Sequence, residues 1–363
     1  MKDNYAIIMA GGVGSRFWPS STMKLPKQFL DILGLGETLL QQTFRRMLNI
    51  CPADQIMLVT NHNYQDLCKK QIPNIPEENI ICEPVSRNTA ACIAYASFKI
   101  NSLNEQANIV VVPSDHLITR EDEFVKIVKQ CLDISSSSEF LITLGIPPNR
   151  PETGYGYIES SKKTFNNNEN IRLVNRFIEK PDEKTAQSLL EHNHFLWNSG
   201  IFIWSSKVIL QAFKNFIPSM YDVFRSGSHI YNTDQEKSFI NEIFPSLDNI
   251  SIDYGVMEKS KNVLVYLASF GWSDLGTWKS VSENSDIDEK DNAVLGRKKN
   301  VMLYESHGNI IQVSDDKVCV VQGVNNLIVI ETDRAILICD KDQEQRIKDF
   351  VADVRGSMGD EYV

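Results

Sequence analysis

Residues 7–30 read IIMAGGVGSRFWPSSTMKLPKQFL. An apolar run empties into Gly11, Gly12 and Gly14, and the cations Arg16 and Lys27 follow, with Pro19 and Pro26 between them. The apolar run has the character of a strand buried on both faces. A glycine-rich turn directly after such a strand bares backbone N–H groups that phosphate oxygens can approach, because no Cβ blocks the way. Arg16 offers a planar fork for phosphate and Lys27 a point charge, while the prolines stiffen the loop that carries them. The Walker pattern is excluded, since no Gly-Lys-Ser/Thr closes the loop. The dinucleotide fingerprint fails too, since Phe17 stands where its third glycine belongs. A tight structural turn with ordinary solvated charges remains the other reading of these residues.

Further apolar runs repeat the opening pattern through the first half: Tyr5–Ala10, Gln55–Thr60, Asn79–Pro84, Asn108–Asp115 and Phe140–Ile146. Helical segments separate them. ETLLQQTFRRML places Leu39, Leu40, Thr43, Phe44 and Met47 on one stripe, and TAACIAYASFKI is apolar along most of its length. Strands alternating with helices imply right-handed crossovers and a mainly parallel sheet, an α/β fold. Ligands of such sheets bind beyond the carboxyl ends of the strands. That rule singles out Gly11 to Lys27, Glu83 to Thr89, and Ser114, Asp115 and His116.

The middle of the chain has longer loops. Tyr155–Ser160, Arg172–Asp182, Phe195–Trp204 and Val263–Ser269 read as strands, Asn166–Asn168 as a turn, and GWSDLGTWKSV as a helix beginning after Asp274. His192 and His194 read as surface residues, and Trp197 and Trp204 as core. From about Asp291, short β-rich runs broken by turn residues follow one another until QEQRIKDFVADV near the end. This predicts a large domain over 1–285 and a small β module with a terminal helix over 286–363, joined by the acidic linker Ser282–Asn292.

The 363 residues carry a formal net charge of −10, so the global field discourages nucleic acid and any bound anion needs a local site. Seven scattered cysteines with no Cys-x-x-Cys pair suit reduced thiols rather than a disulfide or zinc framework. No charged-then-apolar leader and no membrane-length apolar run is visible, which predicts a soluble cytoplasmic protein. No Ser/His/Asp or Cys/His set points to a covalent nucleophile.

The loop GGVGSRFWPSS with Pro26-Lys27-Gln28-Phe29 closely resembles the signature of mannose-1-phosphate guanylyltransferases, within the wider sugar-1-phosphate nucleotidyltransferases. The resemblance continues through Glu83-Pro84 with Arg87-Asn88-Thr89-Ala90, Pro113-Ser114-Asp115-His116, Thr153-Gly154-Tyr155-Gly156-Tyr157 and Phe177-Ile178-Glu179-Lys180-Pro181. It resumes at Asn198-Ser199-Gly200, Ser251-Ile252-Asp253-Tyr254 and Gly271-Trp272-Ser273-Asp274, and so spans nearly the whole chain. Ala91 departs from the proline common after Asn-Thr-Ala. The resemblance implies a Rossmann-like nucleotidyltransferase domain with a mainly parallel mixed sheet. It also implies a C-terminal module like a short left-handed β-helix that helps form a homodimer. The chain stops before the isomerase domain of longer relatives, so no isomerase activity is expected.

The implied reaction joins GTP and mannose 1-phosphate into GDP-mannose and pyrophosphate, with Mg²⁺ as cofactor and no nucleic-acid or membrane partner. The implied catalytic residues are Arg16, Lys27, Asp115 and Asp274, the two aspartates also holding the metal. Gly11, Gly12, Gly14, Ser15, Glu83, Arg87, Asn88 and Ser114 would complete the nucleotide site. Gly156, Glu179, Lys180, Asn198 and Asp253 would bind the sugar phosphate. Without the resemblance, Asp274 reads as a helix cap and Asp115 as a turn residue. The competing functions are another sugar-1-phosphate nucleotidyltransferase, a silent nucleotide-sugar sensor and, disfavoured by the missing glycine, a dehydrogenase.

Overall fold

The computed structural model describes residues 3–296 and 298–363. The chain gathers into two compact units. The first takes residues up to 11, 44–114 and 118–272, and the second takes 12–43, 115–117 and 273–363.

Nine strands of the first unit, among the described residues, form one sheet. In chain order they are β1 (Asn4–Ala10), β2 (Ile56–Asn61), β3 (Ile80–Glu83), β4 (Asn108–Pro113), β5 (Leu141–Ile146), β6 (Tyr157–Phe165), β7 (Asn168–Ile178), β8 (Phe195–Ser205) and β9 (Val263–Leu267). Their spatial order is β3-β2-β1-β4-β8-β5-β9-β7-β6. The β3-β2-β1-β4 half is parallel, as the alternating pattern predicts. β8 runs antiparallel to both β4 and β5, and β5 pairs β9 in parallel. The sheet is therefore mixed, with a parallel half where the α/β alternation is regular.

Residues of β1, β2, β4 and β5 are buried almost without interruption because helices cover both faces. The helix Asn88–Leu103 is buried from Ala90 through Ile100. Its Tyr95 and Phe98 join Phe224, Tyr231 and Phe244 in an aromatic core. β6 and β7 are joined at Asn166 and Asn167, both with positive φ (50° and 57°), the two-residue turn that matches the twist of a hairpin. β7 stops at Ile178, short of the predicted Asp182. Lys180 has φ 44°, and Pro181 offers no N–H to a ladder.

The second unit is β-rich. β10 (Ala293–Leu295), β11 (Val301–Tyr304), β12 (Ile310–Gln312), β13 (Cys319–Gln322) and β14 (Leu327–Glu331) stack as parallel rungs, and β15 (Ile336–Asp340) closes antiparallel on β14. Ala293 pairs Ile310 and Ile310 pairs Ile328, so one coil takes 17 or 18 residues, as in a β-helix. Asn292 and Asn309 line a corner of the coil. Asn292 Oδ1 accepts from the N and Nδ2 of Asn309, both 3.0 Å, and Asn309 Oδ1 accepts from Leu327 N at 2.9 Å. Ser282–Asn292 is accordingly no bare linker. Asp288 accepts from Lys290 N and Asn292 N, and Asn292 is buried. The terminal helix Ile347–Met358 sets Ile347 and Val351 into the core with Phe17, Trp18 and Trp278. No helix among the described residues is long and apolar enough to cross a membrane.

Lys99 and Glu236 form a buried ion pair in the first unit. Glu236 accepts from Lys99 Nζ at 2.6 Å, Tyr95 Oη at 2.7 Å and Asn232 N at 2.6 Å. Glu236→Ala leaves a buried ammonium and hydroxyl unpaired. It is expected to cost about 3–5 kcal/mol in urea unfolding, and a loss under about 1 kcal/mol contradicts this account.

Candidate functional site

Two clusters of predicted residues form, one in each unit. In the second unit the glycine loop folds back on itself. Gly12 and Gly14 take φ 90° and 73°, conformations that a Cβ would strain. A Cβ at Gly14 would also meet Lys27 Cβ at 2.6 Å. Lys27 N donates to Val13 O at 3.1 Å and Gln28 Nε2 to Gly12 O at 3.2 Å, which lays the Pro26–Phe29 segment along the loop.

The Lys27 side chain is 5% exposed. Its ammonium donates to Asp115 Oδ2 at 2.9 Å and to the main-chain oxygen of Asp274 at 2.6 Å, and it lies 5.5 Å from the centre of the Phe17 ring. One cation thus ties three distant stretches of chain. Burial pushes the Asp115 carboxyl up, but Lys27, with His116 behind it, outweighs burial and holds it below its ordinary value. His116 Nε2 is 3.9 Å from Asp115 Oδ1.

Asp274 does not cap a helix. That helix starts at Trp278, with Thr277 and Ser280 forming a reciprocal capping box. Asp274 Oδ1 instead accepts from Gly276 N at 2.9 Å, and a Cβ at Gly276 would press on its carboxylate.

Gly14, Ser15, Arg16, Lys27, Asp115 and Asp274 border one pocket of about 320 Å³, and His116 and Lys348 join them. Lys348, on the terminal helix, is a wall residue that sequence reasoning missed. Its only signal was a helical pattern that leaves it next to buried Ile347. Arg16 is steadied from the same segment, its Nε donating to Gln345 Oε1 at 3.0 Å.

The donor set fits a hard divalent cation: Asp115 and Asp274 both border the pocket, and Asp115 is held in its ionised form. Among the described residues no group of three or more His, Cys, Asp or Glu could hold an ion alone. Phosphate and water would therefore complete its shell, as Mg²⁺ prefers.

In the first unit, Gly156, Glu179, Lys180, Asn198 and Asp253 come together. Asn198 Nδ2 donates to Asp253 Oδ1 at 2.7 Å, Asn198 N to Gly156 O at 2.8 Å, and Lys180 Nζ lies 2.8 Å from Glu179 Oε1. A side chain at 156 would displace the Glu179 carboxylate, so glycine there leaves that carboxylate its place. Burial first, then the negative Glu179, raises Asp253 to about 6, against the pull of the Asn198 hydrogen bond. The Glu179 hydrogen bond raises Lys180. The turn Asp253–Met257 follows Ser251, whose Oγ accepts from Tyr254 N at 3.3 Å, so Ser251 is the capping residue and Asp253 is left to Asn198.

The remaining predicted nucleotide residues are dispersed. Glu83 ends β3, is buried, and its Oε1 meets no donor among the described residues; burial raises its carboxyl to about 8. Arg87 Nη2 donates to Pro245 O, and Asn88 sits at φ 63° with its Oδ1 accepting from Thr89 N. Thr89 Oγ1 accepts from Ile252 N at 2.9 Å, docking this segment beside the Asp253 turn. Ser114 is buried and its N donates to Met9 O at 3.0 Å. Gly11 ends the first unit where β1 gives out. A separate hollow of about 1150 Å³ beside β3 holds none of the predicted residues. His192 is exposed and His194 half-buried, 4.6 Å from the Phe195 ring centre; Trp197 and Trp204 are core.

A sequence profile described as nucleotidyl transferase matches residues 5–291, and one described as MannoseP isomerase/GMP-like beta-helix domain matches 299–354. A mannose-1-phosphate guanylyltransferase of Salmonella muenchen is 34% identical over 361 residues, covering 98% of this chain and 74% of that protein. One from Klebsiella pneumoniae is 32% identical over 364 residues, with 98% and 75% covered. A solved structure from Thermus thermophilus, described as mannose-1-phosphate geranyltransferase, superposes with a TM-score of 0.87 at 27% identity, covering 97% of this chain and 99% of that one.

Asp253 yields a test in pH. Its folded-state value of about 6 lies above the unfolded one. The stability it contributes is therefore complete at low pH and is lost as pH rises through the window from about 4 to 6. Asp253→Asn removes that dependence. Its Tm relative to wild type should rise across the window, and a constant difference rejects the assignment.

Proposed function

Because the chain belongs to the nucleotidyl transferase family and groups there with the mannose-1-phosphate guanylyltransferases, we propose that it transfers GMP from GTP to α-D-mannose 1-phosphate, giving GDP-mannose and pyrophosphate. The observation that carries this reading is Lys27, buried beside Asp115 and Asp274 against a loop of bare glycine backbone. The sugar phosphate is already an anionic nucleophile and pyrophosphate a stable leaving group, so alignment and charge neutralisation suffice. That is what cations, carboxylates and glycines can supply.

The backbone of Gly11, Gly12, Gly14 and Ser15 wraps the triphosphate. Lys27 and Arg16 take its charge and stabilise the crowded phosphorus as the attacking oxygen arrives. Asp115 and Asp274 would hold Mg²⁺, which when bound offsets negative charge on the phosphate oxygens. Glu83, Arg87, Asn88 and Ser114 belong to the nucleotide side. In the first unit, Lys180 pairs the sugar phosphate, while Glu179, Asn198 and Asp253 accept from or donate to the sugar hydroxyls and the Gly156 backbone lets the ring come close.

The working form is a homodimer in the cytoplasm. Met302, Tyr304, Val318, Val320, Ile336 and Ile338 are all exposed on the coil, an apolar strip that suits a second copy.

The deciding experiment measures pyrophosphate released from GTP with mannose 1-phosphate, against other nucleotide and hexose 1-phosphate pairs. GTP with mannose 1-phosphate is expected to give the highest kcat/KM; another preferred pair overturns the specificity and no turnover with any overturns the reaction. Lys27→Ala should cut kcat by roughly 100-fold or more in a protein that still folds; a wild-type rate removes Lys27 from its role. Lys180→Ala should mainly raise KM for mannose 1-phosphate. An effect confined to GTP would mean that the two subsites are assigned the wrong way round.

A further inference from the structure

The phosphate pocket has a wall that the glycine loop does not make. Lys348 reaches it from the terminal helix Ile347–Met358, near the far end of the chain. The helix is not loosely attached: Ile347 is fully buried and Val351 nearly so, both in the core that also holds Phe17 and Trp18 of the loop. Trp18 Nε1 donates to Tyr362 O at 2.7 Å, a second tie between the loop and the chain end. Gln345, one turn before Lys348, accepts from Arg16 Nε at 3.0 Å. The same short segment therefore fixes one cation of the loop and adds another of its own.

Charge makes the arrangement informative. The chain as a whole is at −10, yet this pocket is bordered by Arg16, Lys27 and Lys348 against Asp115 and Asp274. Lys27 shares its charge with Asp115 and the Asp274 carbonyl. Arg16 has a neutral partner in Gln345, so its charge is not cancelled there. Lys348 is held below its ordinary value, first by partial burial and then by the repulsion of Arg16. Two like charges turned to one small pocket are unfavourable until an anion lies between them. A volume of about 320 Å³ is at the small end for ligand sites and suits phosphate groups better than a whole nucleotide.

We propose that the terminal helix completes the phosphate site, with Lys348 and the Gln345-held Arg16 binding the pyrophosphate end of the nucleotide. This rests on the guanylyltransfer reading above. In that reaction an oxygen of the sugar phosphate bonds to the α-phosphorus while the bond from that phosphorus to the bridging oxygen breaks. The electron pair leaves with pyrophosphate, and Lys348 and Arg16 receive the charge that appears there. Lys348 contacts the leaving group; Gln345 is a positioning residue that acts through Arg16.

The test uses the full chain with inorganic pyrophosphate as the probe, by calorimetry, together with kinetics in both directions. Lys348→Gln should weaken pyrophosphate binding and raise KM for GTP roughly tenfold or more, the scale of one lost charge-assisted hydrogen bond. KM for mannose 1-phosphate should stay within about twofold, and Lys348→Arg should restore most of the loss. Lys348 is exposed, so both variants should keep the wild-type Tm. Unchanged pyrophosphate affinity in folded Lys348→Gln, or equal effects on both substrates, overturns the subsite while leaving the enzyme's reaction standing. If wild type makes no pyrophosphate from GTP with any sugar phosphate, the underlying reading fails first.

Discussion

A single buried ammonium organises the second unit. Lys27 is almost wholly removed from water, and a lysine in that position is tolerable only if its charge is met on several sides. Asp115 meets it with a carboxylate, Asp274 with a main-chain carbonyl and Phe17 with a ring face. These partners come from remote stretches, so satisfying one charge forces the loop, the turn after β4 and the Asp274 bend into one place. The glycines follow from the same demand: the loop lies against the Lys27 stem closely enough that Gly14 has no room for a Cβ.

The two clusters are built on different electrostatic terms. Around Lys27, attraction dominates, and the Asp115 carboxyl is kept ionised although burial opposes it. Around Asp253, burial and a like charge dominate, and the carboxyl is pushed towards the neutral form. The first environment suits a highly charged anion with its cations. The second suits hydroxyl groups, which can donate to one carboxylate and accept from a protonated neighbour.

What the sequence revealed, and what it hid, follows from the range of the forces involved. Glycines and prolines dictate backbone locally, so the loop of residues 11–30 could be read directly, and the long apolar runs announced β1, β2, β4 and β5. Asp274 kept a capping alternative because its contacts are with Gly276 and with Lys27 from far upstream, while the cap fell to Thr277. Lys348 gave no warning beyond a helical pattern. It is one lysine on a helix surface, and only the packing of Ile347 brings it to the pocket. Gln345 and Arg16 are 329 residues apart and meet through tertiary structure alone. Ser282–Asn292 looked like a linker by composition, but Asn292 belongs to the asparagine corner of the coil, a periodicity that shows only once Asn309 is stacked on it.

That corner has an architectural consequence. Rungs of 17 or 18 residues touch only the rungs above and below, so the coil behaves as a one-dimensional stack. Inserting or removing one full rung would preserve every inward-facing Ile and every asparagine contact at the remaining corners. Losing a single residue would turn the following side chains inside out and leave the buried amides facing aliphatic neighbours. Length variation in this part of the molecule is therefore quantised, and homologues should grow or shrink here by whole turns.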